Sequence, residues 1–278
     1  MKKINTWIFV TILFSIAVLK PTNGLSLFGI VRHDVPIERY EELGQHSKYD
    51  CVGRYSISEK SNDYAVGVLI DSKWVLTAAH FIQDASVWKF GDHFYETKGI
   101  VKHPALEPGA EETQWSACDL AIVELKNPVK DIEPAKRYYG KNELNKVITK
   151  IGYGYMGDGN IGLADPRVQV KLGGQNVIDA IGGTFEDREF TTSVMVCDFD
   201  SEESSEYNRF GSPLPLELEI GGSKGDSGGG IFIEENGQTF LAGIVSGALN
   251  RQIKYGAVMA LARVSTANAW IYSTIGSK

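Results

Sequence analysis

Three short stretches carry groups that together can activate a hydroxyl: Thr77-Ala78-Ala79-His80, Asp119-Leu120-Ala121-Ile122 and Gly225-Asp226-Ser227-Gly228-Gly229. A serine hydroxyl is a weak nucleophile at neutral pH. It needs an imidazole to take its proton and a buried carboxylate to hold that imidazole in the right tautomer. His80, Asp119 and Ser227 supply the three groups, in the order His, Asp, Ser. Charge that builds up on an attacked carbonyl oxygen needs fixed donors. The backbone N–H groups of Gly225 and Ser227 are the candidates, with glycine at 225 permitting the turn.

The order discriminates between architectures. Gly225-Asp226-Ser227-Gly228-Gly229 also fits the G-x-S-x-G elbow, where acid and histidine follow the serine. The five histidines, His33, His46, His80, His93 and His103, all precede Ser227, so that reading has no base. The order acid, histidine, serine would draft Asp63 or Asp71, and neither sits in a matching motif.

The elements that must hold these groups read as strands. Short apolar runs recur between turn residues: Tyr64–Ile70, Lys73–Leu76, Phe94–Val101, Leu120–Leu125, Val147–Gly152, Ser193–Asp198, Gly230–Glu234 and Phe240–Val245. Thirty glycines in 278 residues and 43% apolar content suit an all-β barrel or sandwich with a filled core. Thr266 to Ile275 is the one clear helix in this reading.

The three motifs together resemble the trypsin/chymotrypsin-type serine proteases, from about Ile30 to the C-terminus. Smaller marks agree: Gly67-Val68-Leu69-Ile70, Trp74-Val75-Leu76, Gly243-Ile244-Val245-Ser246-Gly247 and a closing Trp270-Ile271. Arg32-His33-Asp34-Val35, Gly152-Tyr153-Gly154 and Asn176-Val177-Ile178-Asp179 are similar to a bacterial secreted branch. The resemblance implies two six-stranded antiparallel Greek-key barrels and a C-terminal helix. The N-terminal barrel (about 30–135) would carry His80 and Asp119, and the C-terminal barrel (about 146–278) Ser227, with the crossover in the polar stretch Asp131 to Lys146. It also implies an endopeptidase acting through an acyl-enzyme. The other two readings are a catalytically inactive binding or adhesion module on the same scaffold and a serine esterase using the same groups.

The family's activation pair, an α-amine freed before an Ile-Val dipeptide and an aspartate beside the nucleophile, maps onto Ile30 and Asp226. The residues after Ile30-Val31 are Arg32-His33, a departure from the family's two glycines. The substrate-binding positions become Gly221, Lys224, Ser246 and Ala248. With Gly221 where trypsin-like members place an acid, and Met259 where many have glycine, the pocket is expected to be shallow and neutral; Glu217 and Glu219 are the acids that could reach it. Two family disulfides are missing: Phe81 and Ala65 replace one pair, and Ser223 stands at a half-position of another. The three cysteines, Cys51, Cys118 and Cys197, leave at least one free thiol.

The first residues read as an export signal. Lys2 and Lys3 precede a mostly apolar stretch from Trp7 to Leu19, too short to span a bilayer. Small residues at Thr22 and Gly24 suit cleavage after Gly24, giving a signal peptide of residues 1–24 and a pro-segment of residues 25–29 ahead of a peptidase domain of residues 30–278. The expected location is secreted or periplasmic, without a stable membrane anchor. Loss of residues 1–24 leaves 25 basic residues against 35 acidic, a net charge of −10, which repels nucleic acid. The acidic run Asp198 to Glu206 lacks EF-hand spacing and reads as a solvated loop. The expected partners are protein or peptide substrates of a monomer, with no cofactor and no metal.

Overall fold

The computed structural model describes residues 30–56, 64–84, 86–106, 118–163, 170–186, 188–250 and 253–276. The expected export signal and pro-segment lie outside these residues. The strands are β1 (Ile30–Val31), β2 (Val52–Ser56), β3 (Tyr64–Asp71), β4 (Trp74–Thr77), β5 (Val87–Phe90), β6 (His93–Lys102), β7 (Ala121–Leu125), β8 (Lys136–Arg137), β9 (Val147–Gly152), β10 (Gly157–Asp158), β11 (Gly162–Leu163), β12 (Leu172–Val177), β13 (Ala180–Phe185), β14 (Arg188–Asp198), β15 (Gly230–Glu235), β16 (Gln238–Ala248) and β17 (Val258–Arg263). Helix α1 covers Ile37–Gly44 and α2 covers Val264–Ile275.

The first half is a closed barrel in the order β2-β3-β4-β7-β6-β5, sealed where β5 pairs with β2 through Trp88 and Tyr55. Its core is apolar, with Val66, Val68, Leu69, Leu76, Trp88 and Ile122 excluded from solvent. At the two positions expected to lack the family disulfide, the Phe81 ring lies 5.2 Å from Tyr55, and Ala65 is buried opposite Tyr55 in the β2–β3 pair.

The second half is an eight-stranded sheet in the order β12-β9-β15-β16-β17-β14-β13, with β8 joined in parallel to β16. The expected six strands per half hold for the first; in the second, β8 and the hairpin strand β13 extend the ladder. The sheet curls so that Asn176 Nδ2 in β12, at one end, donates to the carbonyl oxygen of Asp198 in β14, next to the other end, at 2.7 Å.

Residues 30–44 belong spatially to this second half, although they precede the first in sequence. Strand β1 runs parallel to β10, and α1 packs on β12. The sequence reading missed α1, whose eight residues offer one buried aromatic, Tyr40, and a glycine, Gly44. A Cβ at Gly44 would stand 2.6 Å from the Lys171 carbonyl oxygen, so only glycine lets the helix approach that closely. Helix α2 starts two residues earlier than expected and buries Val264, Ala267 and Ile271 in the core it shares with the first barrel. It clamps the halves together, and each such side chain contributes about 1.5–3 kcal/mol by leaving water.

Candidate active site

Strand pairing brings the first two groups together. Strands β4 and β7 are antiparallel neighbours with Thr77 opposite Ala121. His80 follows the end of β4 by three residues and Asp119 precedes β7 by two, so both emerge at the same end of the barrel. Asp119 is fully buried. Its Oδ1 accepts the backbone N–H groups of Ala79 (2.8 Å) and His80 (2.9 Å), and its Oδ2 lies 2.7 Å from His80 Nδ1. These bonds orient the carboxylate, which orients the imidazole. The other ring nitrogen, Nε2, lies 3.0 Å from Ser227 Oγ.

Ser227 comes from the loop ahead of β15. Its carbonyl oxygen accepts the Val66 N–H at 2.8 Å, which ties the second half's loop to the first half's β3. The next residue must be glycine: Gly228 has φ +84°, and a Cβ there would lie 1.8 Å from the Val66 carbonyl oxygen. Tyr155 N–H donates to the Lys224 carbonyl oxygen at 2.7 Å. Because a trans peptide points its C=O and N–H in opposite directions, the Gly225 N–H faces the other way. Among the described residues neither the Gly225 nor the Ser227 N–H has a partner. Both are thus open to an incoming oxyanion.

Asp226, the acid expected to take a freed Ile30 amine, is engaged by other donors in the intact chain. Its Oδ2 accepts from Lys150 Nζ at 2.6 Å, from Ser223 N–H at 2.9 Å and from Ser223 Oγ at 3.2 Å, while Oδ1 accepts from Gly154 N–H at 3.0 Å. Lys150 and Asp226 are both almost wholly buried. Ile30 instead sits in β1, with its carbonyl oxygen accepting the Gly221 N–H at 2.8 Å and its side chain packed among Phe199, Tyr255 and Ala257. In the intact chain, where Ile30 carries no free amine, Asp226 is paired with Lys150. The sequence carried one signal of this, a lone lysine on the inward face of the otherwise apolar run Val147–Gly152.

The family model for trypsin matches residues 42–214, more than half of the chain. The chain belongs to the trypsin family. The matched span takes in His80 and Asp119 and stops before Ser227. Among solved structures, mouse neuropsin, a serine protease expressed in the limbic system of the brain, is similar with a TM-score of 0.63. The match covers 88% of this chain and 99% of neuropsin at 15% identity, a likeness of fold. No curated protein matches the sequence.

Beside Ser227 this trypsin-family chain has a cavity of about 180 Å³, lined by Gly222, Ser223, Lys224, Val245, Gly247, Ala248 and Ile253. Lys224 and Ala248, two of the expected substrate-binding positions, line this cavity. Gly221 is not on the wall: its carbonyl oxygen accepts from Lys150 Nζ at 2.9 Å, and its Cα packs near Ile30 and Phe199. Ser246 turns its side chain toward Asp119. Its buried hydroxyl donates to Asp119 Oδ2 at 2.7 Å, adding a further donor to that carboxylate. Met259 packs against Gly222, close enough that a Cβ on Gly222 would meet its Cγ at 2.8 Å.

Neither candidate acid reaches the cavity. Glu217 is exposed and pairs with Arg39 at 2.8 Å. Glu219 is buried, with Oε1 on the Asp200 N–H and Oε2 on the Leu216 N–H, and burial pushes its carboxyl up to about 8. Lys224 is the charge at the rim, its ammonium 5.5 Å from the centre of the Tyr155 ring.

The acidic run Asp198 to Glu206 is only partly a solvated loop. Asp198, Asp200 and Ser201 are buried, and Asp198 Oδ2 accepts the backbone N–H groups of Arg209 and Phe210. The outer members face a cation and a histidine: Glu202 pairs with Arg32, and Glu203 lies 3.2 Å from His33. Cys51, Cys118 and Cys197 are all free thiols, with Cys51 and Cys197 buried as packing groups. Among the described residues no group of three or more His, Cys, Asp or Glu is placed to hold a metal, and no helix is long and apolar enough to cross a membrane.

Proposed function

We propose that the chain is a secreted or periplasmic serine endopeptidase, working as a monomer on protein or peptide substrates. The observation that carries this reading is the continuous line from Asp119 through His80 to Ser227 Oγ, beside two unengaged N–H groups. Ser227 Oγ attacks the acyl carbon and its proton passes to His80 Nε2. The Gly225 and Ser227 N–H groups receive the negative charge on the carbonyl oxygen. His80 then protonates the leaving amine as the C–N bond breaks, which leaves an ester on Ser227. Water gives a proton to the same imidazole and attacks the ester. Breakdown frees the acid and returns the proton to Ser227.

The small cavity, with no acid on its wall and Met259 packed behind Gly222, supports a preference for small or medium uncharged side chains on the acyl side of the bond. A lysine or arginine there would lose its hydration without gaining a counter-charge. A peptide-library profile dominated by cleavage after Lys or Arg would overturn this preference.

A fluorophosphonate probe with casein hydrolysis tests the reaction. Wild type should label and cleave casein, and Ser227→Ala should do neither, with kcat lower by about 10⁴–10⁶. Absence of labelling would favour an inactive binding module. Labelling with turnover of simple esters but not of casein would favour an esterase.

A further inference from the structure

We infer that Lys150 holds the loop from Ser223 to Ser227 in its working shape, so that the protein needs no cut before Ile30 to become active. This rests on the reading of Ser227 as the nucleophile.

Asp226 stands between Gly225 and Ser227, whose N–H groups would receive the oxyanion. Whatever fixes its carboxylate therefore fixes both donors. Four donors reach that carboxylate: Lys150 Nζ, the N–H and hydroxyl of Ser223, and the N–H of Gly154. Three of these bonds fall on Oδ2 and one on Oδ1, and the Lys150 ammonium already supplies the counter-charge that a freed amine would bring. The neighbourhood is shaped around this arrangement. A Cβ at Gly152 would lie 2.3 Å from Asp226 Oδ1, and one at Gly154 would lie 2.5 Å from its Cγ. The Gly152-Tyr153-Gly154 motif is thus the hollow that receives Asp226.

The ammonium is delivered by the sheet itself. Lys150 lies in β9, paired with Gly174 of β12 on one side and Ile231 of β15 on the other. It is in place as soon as those strands pair. Its second bond, to the Gly221 carbonyl oxygen, ties the start of the same loop to the same cation. Ile30 is engaged elsewhere: its carbonyl takes the Gly221 N–H, and its side chain is 1% exposed. Lys150 is thus a positioning residue, acting on the donors through Asp226.

The test compares protein beginning at Leu25 with protein beginning at Ile30, each as wild type and as Lys150→Met. The readouts are the rate of fluorophosphonate labelling, kcat and KM on casein, and amide hydrogen exchange of residues 222–228. The two wild-type forms should label at rates within about twofold of each other. Lys150→Met should slow labelling by about 10²-fold or more, the scale of a lost oxyanion donor. It should lower kcat more than it raises KM, and speed exchange in 222–228 while β2 to β7 stay protected. The double variant Lys150→Met/Asp226→Asn, which strands no buried charge, should fold and remain slow.

An inert Leu25 form beside an active Ile30 form would overturn the inference, as would a Lys150→Met variant that labels at the wild-type rate. If no wild-type form labels, the hydrolase reading fails by itself. Exchange in 222–228 then still decides the role of Lys150: unchanged exchange in Lys150→Met overturns it, and faster exchange confined to that loop upholds it.

Discussion

The two halves of the molecule handle buried charge in opposite ways. Among the described residues from Val52 to Leu125, Asp119 is the only charged side chain that is buried, and it belongs to the candidate site. The second half, with residues 30–44, buries Arg32, Glu143, Lys150, Asp158, Asp198, Asp200, Glu219, Asp226 and Arg263. The difference follows from what each half has to hold. The first presents His80 and Asp119 from the ends of two paired strands, where backbone hydrogen bonds already fix position and an apolar core suffices. The second has to hold irregular loops, including the one with Ser227. Loop N–H and C=O groups have no ladder partner, and a buried one left unpaired costs about 1–3 kcal/mol. Carboxylates and cations meet that need: Asp198 serves Arg209 and Phe210, Glu219 serves Asp200 and Leu216, and Arg263 serves Thr192 and Lys141.

If this contrast is right, removing the first half's buried charge should affect rate, and removing one far from the loop in the second half should affect stability. Asp119→Asn keeps the shape but favours the wrong imidazole tautomer, and kcat should fall by about 10⁴. A loss under about tenfold, read with the same substrate as wild type, would break the contrast on its first side.

Arg263→Met is the matching change in the second half. Arg263 meets Glu143 through both Nε (2.9 Å) and a terminal nitrogen (2.5 Å), and both side chains are buried. Stranding Glu143 should cost about 3–5 kcal/mol in urea unfolding, while the folded protein labels Ser227 at the wild-type rate. If labelling slows in step with Lys150→Met, the ion pairs of this half act as one network and the special place given to Lys150 is lost.

The smallest effect concerns pH. Burial, with the charge of Asp198 beside it, raises Asp179 above the ordinary carboxylate range, and burial raises Asp198; burial lifts Asp200 to about 6 and Glu219 to about 8. A folded-state value above the unfolded one near 4 means that the folded form prefers the proton. The stability this contributes is complete below about pH 4 and is lost as pH rises through about 6 to about 8. The thermal midpoint should therefore fall across that window. Asp179→Asn removes one of the groups and should lessen the fall by about 2–4 °C, the size of roughly 1 kcal/mol for a domain of this length. An unchanged slope in a series of melts from pH 5 to 8.5 would mean that these carboxylates do not govern it.

The sequence determined which three groups could act together, and its apolar runs marked eight of the seventeen described strands, β3, β4, β6, β7, β9, β14, β15 and β16. His80, Asp119 and Ser227 could be picked out because each group demands particular neighbours: a tight turn of glycines around Ser227, apolar strand residues before His80 and after Asp119. Such demands are local and leave a mark within five residues. The strand runs were legible for the same reason, since burial on a sheet needs apolar residues at short range. Helix α1 was not, because one buried aromatic in eight residues makes a faint pattern. Only the tertiary structure decided what depends on pairs far apart in the chain. Lys150 and Asp226 are separated by 76 positions, and Ser246 and Asp119 by 127. Met259 meets Gly222 only because β17 runs past that loop. A lysine in a strand does not name its carboxylate, and a serine does not announce whether it faces a substrate or a buried acid. Those choices are made when distant segments compete for the same buried charge, and the winner is the group whose strand register delivers it there.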